Sequence, residues 1–292
     1  MPAEAELVLD ARADLGEGAI WDAKKQLLYW VNINHGEVHI YDPKTASDRT
    51  LNVGEPVGTV VPRRSGGLML AMKSGFAHLD LDTEKLTPIC DPEEHDPELR
   101  FNDGKCDPAG RFWAGTITSG ATPARASLYC LFPDLTATRI LAGVTNSNGI
   151  AWGLEAKTMY YIDTATATVW SFDYDLDTGA ITNRHAAVTV PDELGHPDGM
   201  TIDAEGMLWV AHWGGRSINR WDPAGGGHLR AIPIPADHVS SCAFGGAELD
   251  TLYVTTARGG LSEEDLRTQP HAGGLFSVKP GVRGVAAFEF AG

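Results

Sequence analysis

Glu17, Asn148 and Asp198 each stand directly before a glycine, in the stretches LGEGAIWD, SNGIAW and PDGMTID. Asn-Gly and Asp-Gly pairs are ordinary turn signals, and for Asn148-Gly149 alone a side chain bonded to its own backbone is the plainer reading. Three such residues in phase along one chain open another. Glu, Asn and Asp offer only hard oxygen donors, and two carboxylates brought together repel unless a cation or protons lie between them. With neither His nor Cys at these positions, the set favours calcium, magnesium or manganese over a structural zinc. Three protein ligands leave coordination positions open for water and substrate, as catalytic metal sites do. Arg100 and Asn102, two apart in LRFNDG, point to one face if that segment is extended, with Phe101 on the other. Beside an oxygen-rich cation site the arginine suits a polar, oxygenated substrate; a surface salt bridge is the alternative.

Other chemistries leave no trace. There is no G-x-S-x-G elbow, H-E-x-x-H, P-loop or G-x-G-x-x-G. His196 and His212 flank Asp198, where surface or core packing explains them better than a pocket role. Trp213, before a Gly-Gly pair, either stacks on a ligand ring or packs as a buried aromatic. Cys90, Cys106, Cys130 and Cys242 lack any C-x-x-C spacing and read as buried thiols of a reducing compartment.

The elements that would bring Glu17, Asn148 and Asp198 together show up as a repeat. Markers comparable to Asp198-Gly199 are Glu17-Gly18, Gly58, Asp103-Gly104, Asn148-Gly149 and Cys242-Ala243, spaced 40, 46, 45, 50 and 44 residues apart. An apolar segment follows each, such as LLYWVN, LMLAM or LWVAHW, and then a third, such as EVHIYDP or SINRWDP. Fourth segments, such as TRILAG and LRAIPIP, are weaker. Four short strands per unit, six units and no convincing amphipathic helix predict an all-β fold: a six-bladed β-propeller with four antiparallel strands per blade. AELVLDAR near the N-terminus is placed to supply the outer strand of the last blade. The GGG at 225–227 reads as a loop between third and fourth strands. In a propeller the first strand of each blade lines the central channel, so residues just before the marker glycine meet at one mouth. Asn102 and Asp103 hold this place in the third blade. One domain over 1–292 is expected.

Composition agrees. Hydrophobic residues make up 43% and charged residues 21%, a globular balance, and 33 glycines with 17 prolines fit a turn-rich chain. The net charge of −16 repels phosphate backbones and anionic lipid, which argues against nucleic-acid and membrane roles. The N-terminus lacks the basic start and apolar core of a secretion signal, and no apolar run approaches membrane-spanning length. A cytoplasmic monomer is expected.

LGEGAIWD, RFNDGKCDPAGRFWAGT, SNGIAW, PDGMTIDAEGMLWVA and CAFGG with LYVTTAR resemble the regucalcin (senescence marker protein)/gluconolactonase family, from about residue 14 to the end. The resemblance implies a six-bladed propeller of metal-dependent sugar lactonases. It implies that Glu17, Asn148 and Asp198 bind one divalent ion, calcium foremost and zinc, manganese or magnesium as alternatives. It further implies that Asp198 is the acid/base and that Arg100 and Asn102 contact substrate. One position departs: relatives resembling regucalcin carry a substrate-contacting glutamate after the AGT strand, and Gly120 stands there in AGTITSGATPA. HWGG at 212–215 is closer to bacterial sugar lactonases. The reading is therefore a hydrolase opening aldonolactones to sugar acids, with a pocket open enough to take several five- and six-membered lactones. Rival readings are a phosphotriesterase or fluorophosphatase on the same metal, a non-catalytic calcium-binding regulator, and a protein-interaction propeller. The last leaves the carboxylates unexplained.

Overall fold

The computed structural model describes residues 4–94 and 96–292. Strand β1 (Glu6–Leu9) precedes four sheets, each of four antiparallel strands in chain order. The first holds β2 (Gly16–Asp22), β3 (Leu27–Asn32), β4 (Glu37–Asp42) and β5 (Ser47–Asn52). The second holds β6 (Val57–Pro62), β7 (Leu68–Met72), β8 (Gly75–Leu79) and β9 (Leu86–Cys90). The third holds β10 (Leu99–Cys106), β11 (Phe112–Thr118), β12 (Ala126–Leu131) and β13 (Ala137–Val144), and the fourth β14 (Ser147–Trp152), β15 (Thr158–Asp163), β16 (Thr168–Tyr174) and β17 (Ile181–Thr189). An eight-stranded sheet completes the fold. It contains β18 (His196–Ile202), β19 (Leu208–Trp213), β20 (Ser217–Asp222) and β21 (Gly227–Pro233). A single pair, Trp213 with His238, joins these to β22 (His238–Gly245), β23 (Thr251–Ala257) and β24 (Leu275–Val278). β1 pairs with β24 on the outer edge, so the N-terminal strand takes the place expected of it. This is an all-β, propeller-like arrangement, and no helix among the described residues is long and apolar enough to cross a membrane.

Hydrophobic patterning follows strand position. The first strands β2, β6 and β14 are buried at every residue, because neighbouring sheets cover both faces. The fourth strands β5, β13 and β17 are largely exposed, which is why they read weakly in the sequence. The first strands β2, β6, β10, β14, β18 and β22 lie side by side in a closed cycle, β22 returning to β2. Apolar clusters fill the wedges between adjacent sheets rather than one central core. In one wedge Leu28, Trp30 and Tyr41 meet Ala243, Tyr253 and Leu275, and Trp21 stacks on Tyr253 at 5.7 Å. Burying each such aromatic contributes about 1.5–3 kcal/mol, so the wedges hold the sheets together.

The register slips in every first strand, and in five of them the slip spans the marker, between Glu17 and Ile20, Val57 and Thr59, Phe101 and Gly104, Ser147 and Ile150, and Pro197 and Met200. In β22 it falls between Val239 and Ser241, ahead of the expected marker Cys242-Ala243, which sits in regular ladder. The Asp-Gly and Asn-Gly pairs thus lie inside strands, where an extra residue re-aims one side chain, and not at the strand entrances that the turn-like residues predict. The glycines are required by close approach. A Cβ at Gly149 would lie 2.6 Å from Met200 Cβ, and one at Gly199 2.6 Å from Ser241 Oγ and 2.7 Å from the Ser240 carbonyl.

At the opposite end of the first strands, buried aspartates close the turns. Asp107 accepts from Trp113 Nε1 and Asp203 from Trp209 Nε1, both at 2.9 Å, and each also pairs with an arginine, Arg111 or Arg220. The chain after β24 then crosses this end: Gly284 bridges Asp203, Phe290 bridges Arg63, and the Gly292 carbonyl accepts from Arg63 Nε at 2.6 Å. Beneath it lies an apolar cavity of about 320 Å³, lined by Trp21, Trp152, Ile202 and Phe244 with Val285 and Phe288. One short helix, α1 (Glu263–Thr268), departs from the strand-only expectation. Its signal was the capping box Ser262-Asp265, in which each side chain bonds the other's backbone.

Candidate functional site

The bulges of β2, β10 and β18 bring three carboxylates to the enclosed end of the ring opposite the cavity. Glu17, Asp103 and Asp198 are 4%, 3% and 5% exposed, buried enough that their mutual repulsion is poorly screened. Burial first, then the charge of Asp103, pushes Glu17 up from 4.5 to about 8, against the pull of the Gly18 N–H, Arg100 and Lys105. Burial likewise drives Asp198 well above the ordinary carboxylate range, with Glu17 and then Asp103 adding to it. Asp103 is raised by burial, opposed by Lys105 and the Gly104 N–H. Glu17 Oε2 and Asp103 Oδ1 accept from the next backbone N–H, at 3.1 and 2.7 Å. Asp103 Oδ2 and Asp198 Oδ1 are buried with no hydrogen-bond partner among the described residues. Such oxygens cost about 1–3 kcal/mol or more each when left unpaired.

Two cations stand near, and both are directed elsewhere. Lys105 donates to the Met200 carbonyl. Arg100 Nη1 donates to the Phe101 carbonyl at 2.9 Å and to Asn102 Oδ1 at 2.7 Å, and burial brings its pKa down to about 10, partly countered by Glu17 and Asp198. From Asn102 an amide relay runs into the next sheets. Asn102 Nδ2 donates to the Ser147 carbonyl at 2.8 Å, Asn148 Oδ1 at 3.0 Å and Asn146 Oδ1 at 3.3 Å. Asn148 Nδ2 donates to Thr164 Oγ1 at 2.7 Å, and that hydroxyl donates to the Pro197 carbonyl at 2.8 Å, next to Asp198. Arg100, Asn102, Asn148 and Asp198 are therefore coupled through four elements.

This donor set fits a divalent cation. Two orphaned buried carboxylate oxygens, three mutually repelling carboxyls and an amide oxygen with a spare lone pair are what a hard cation satisfies. Among the described residues no three His, Cys, Asp or Glu side chains are grouped so as to hold a metal by themselves, so a ligand set here would have to include amide or backbone oxygens.

All five residues singled out from the sequence meet here: Glu17, Asn148, Asp198, Arg100 and Asn102. Among the described residues Arg100 makes no salt bridge; its guanidinium is held by the Phe101 carbonyl and Asn102 Oδ1. His212 does not join them. It is fully buried, bonds the Leu194 carbonyl through Nδ1 at 2.9 Å, and burial holds its pKa down at about 4, so it packs as a neutral core group. His196 is exposed, and Trp213 stacks on His238 at 4.0 Å. Gly120 is an exposed turn residue at φ +84° with nothing within 4 Å of a Cβ. Lys105, whose charge opposes the rise of Asp103, and the relay through Asn146 and Thr164 leave little trace in the sequence beyond the relay's N-x-N spacing.

The chain is similar to known proteins over nearly its whole length. The family model described as SMP-30/Gluconolactonase/LRE-like region matches residues 15–258. YvrE of Bacillus subtilis (strain 168), whose name assigns it provisionally to the sugar lactone lactonases, is 41% identical over 99% of both chains. Regucalcin of Xenopus laevis is 39% identical over 98% of both chains. A solved structure of a calcium-binding regucalcin from Agrobacterium tumefaciens str. C58 superposes with a TM-score of 0.95 at 25% identity, covering 99% of this chain and 98% of that one. The chain belongs to the SMP-30/gluconolactonase/LRE-like family.

Proposed function

We propose that the protein is a metal-dependent lactonase that opens sugar lactones to their hydroxy acids, built as one six-bladed propeller domain over 1–292. On this count the eight-stranded sheet is two blades joined at Trp213–His238. The observation that carries the reading is the cation-deficient cluster: three buried carboxyls with orphaned oxygens beside an amide relay, in a chain whose relative YvrE bears a lactonase name. Glu17, Asn148 and Asp198 would hold the ion, for which calcium is the first candidate and magnesium, manganese and zinc the others. Bound there, a divalent cation supplies Lewis-acid stabilisation of the developing oxyanion.

The chain's own residues do the rest. Asp198 takes a proton from the attacking water as the water's oxygen bonds the acyl carbon. The acyl–oxygen bond of the ring then breaks, and the proton passes from Asp198 to the departing ring oxygen. Water's two hydrogens end on the new hydroxyl and the new carboxyl, so the atoms balance. Arg100 orients the substrate by donation while its own position is fixed by Asn102. The calcium-binding regucalcin relative supports a second reading, cation binding without turnover.

Acid release from a panel of five- and six-membered aldonolactones separates the two. The lactonase reading predicts turnover of several lactones, and a drop of about 10²-fold or more in kcat for Asp198→Asn, the usual scale of acid–base catalysis. Calcium binding with no turnover of any lactone supports the regulator.

A further inference from the structure

The amide relay has a free end at Asn146, and the polarity of its inner members is determined. Arg100 has only donors, so the Asn102 atom facing it at 2.7 Å is Oδ1. The Ser147 carbonyl, which only accepts, then lies 2.8 Å from Nδ2 of the same amide. That Nδ2 also meets Asn148 Oδ1 at 3.0 Å and Asn146 Oδ1 at 3.3 Å, so its two hydrogens serve three oxygens and Asn146 is the most loosely held of them, with its own Nδ2 pointing away from Asn102. Asn146 is partly exposed, whereas Asn102 and Asn148 are buried. Its backbone is held firmly: the N–H donates to Asp163 Oδ1 at 3.0 Å and the carbonyl accepts from Thr164 N at 3.0 Å.

The backbone also sets the direction in which Asn146 faces. Arg100 lies opposite Ile117 in the β10–β11 ladder, and Ile117 lies opposite Asn146 in the bridge to the next sheet. Directly opposed residues share one face of a sheet. Arg100, Ile117 and Asn146 therefore form a row beside the carboxylates, an apolar residue between two donors.

We infer that Asn146 is a substrate-contacting residue whose Nδ2 donates to a hydroxyl or ether oxygen of the bound sugar lactone, while Arg100 donates to another and Ile117 packs beneath the ring. The inference rests on the lactonase reading and names what that site selects: ring oxygens that accept at two separated points.

The test is kcat/KM for wild type and Asn146→Leu on a six-membered sugar lactone and each of its singly deoxygenated analogues. One neutral hydrogen bond is worth about 5- to 10-fold. For one analogue, removing the oxygen and removing the amide should each cost about that factor, and both together no more than one of them. The loss should sit mainly in KM, as for an interaction made equally with substrate and transition state. Asn146→Ser, which keeps the backbone bond to Asp163, repeats the measurement if the leucine variant melts early. Turnover in which every analogue loses the same factor in the variant as in wild type overturns the role of Asn146 alone. Absence of hydrolysis of any lactone by wild type overturns the lactonase reading and this inference with it.

Discussion

Glu17 is a carboxyl that the fold makes uncomfortable in the absence of a cation. Its pKa stands at about 8 in the folded chain against 4.5 for an unhindered group, so the folded state holds its proton more tightly than the unfolded state does. The contribution to stability is complete below the lower value and is lost as pH rises through the upper one. In chelator, wild type should therefore lose melting temperature relative to Glu17→Gln between about pH 5 and pH 8. Calorimetry of both proteins across that range isolates this group from His212, whose depressed pKa acts in the opposite sense and is common to both. A constant difference between the two melting curves would count against the cluster as described.

At the scale of the element, the bulge carries the account. It turns Asn148 and Asp198 toward the axis, and the glycine after each is held by a neighbouring sheet. Gly199→Ala must drive a Cβ to 2.7 Å from the Ser240 backbone, an overpacking worth about 1–3 kcal/mol. Gly120→Ala meets nothing and carries only the cost of its left-handed φ, about 1 kcal/mol. The first should depress hydrolysis by far more than its melting shift explains, the second should leave hydrolysis intact, and parallel melting and kinetic measurements on the pair check this. The second and third strands were legible because most of their residues are buried and apolar, and the marker spacing predicted that Glu17, Asn148 and Asp198 stand near one another. The bulges were not legible, since Asp-Gly inside a strand has the chemistry of a turn. Neither was the segment after Val278, which docks by single bridges at Gly284 and Phe290 and by scattered side chains such as Val285 and Phe290, with no regular hydrophobic period.

Across the whole molecule, closure and chemistry depend on the same strands. β2 and β18 each carry a proposed cation ligand at one end, Glu17 or Asp198, and Trp21 or Ile202 above the apolar cavity at the other. The ring is completed by β1 on β24 and by the chain end crossing to Arg63, so the ligands converge only when the circle is shut. A cation that neutralises them binds the folded ring and not the open chain, and stabilises it by mass action. The most direct measurement is therefore a calcium titration of metal-stripped protein with lactone hydrolysis and heat of binding followed together. The account predicts one ion per chain and turnover that rises from near zero in step with occupancy. Full turnover at zero occupancy, in protein shown by elemental analysis to hold no divalent metal, would contradict it.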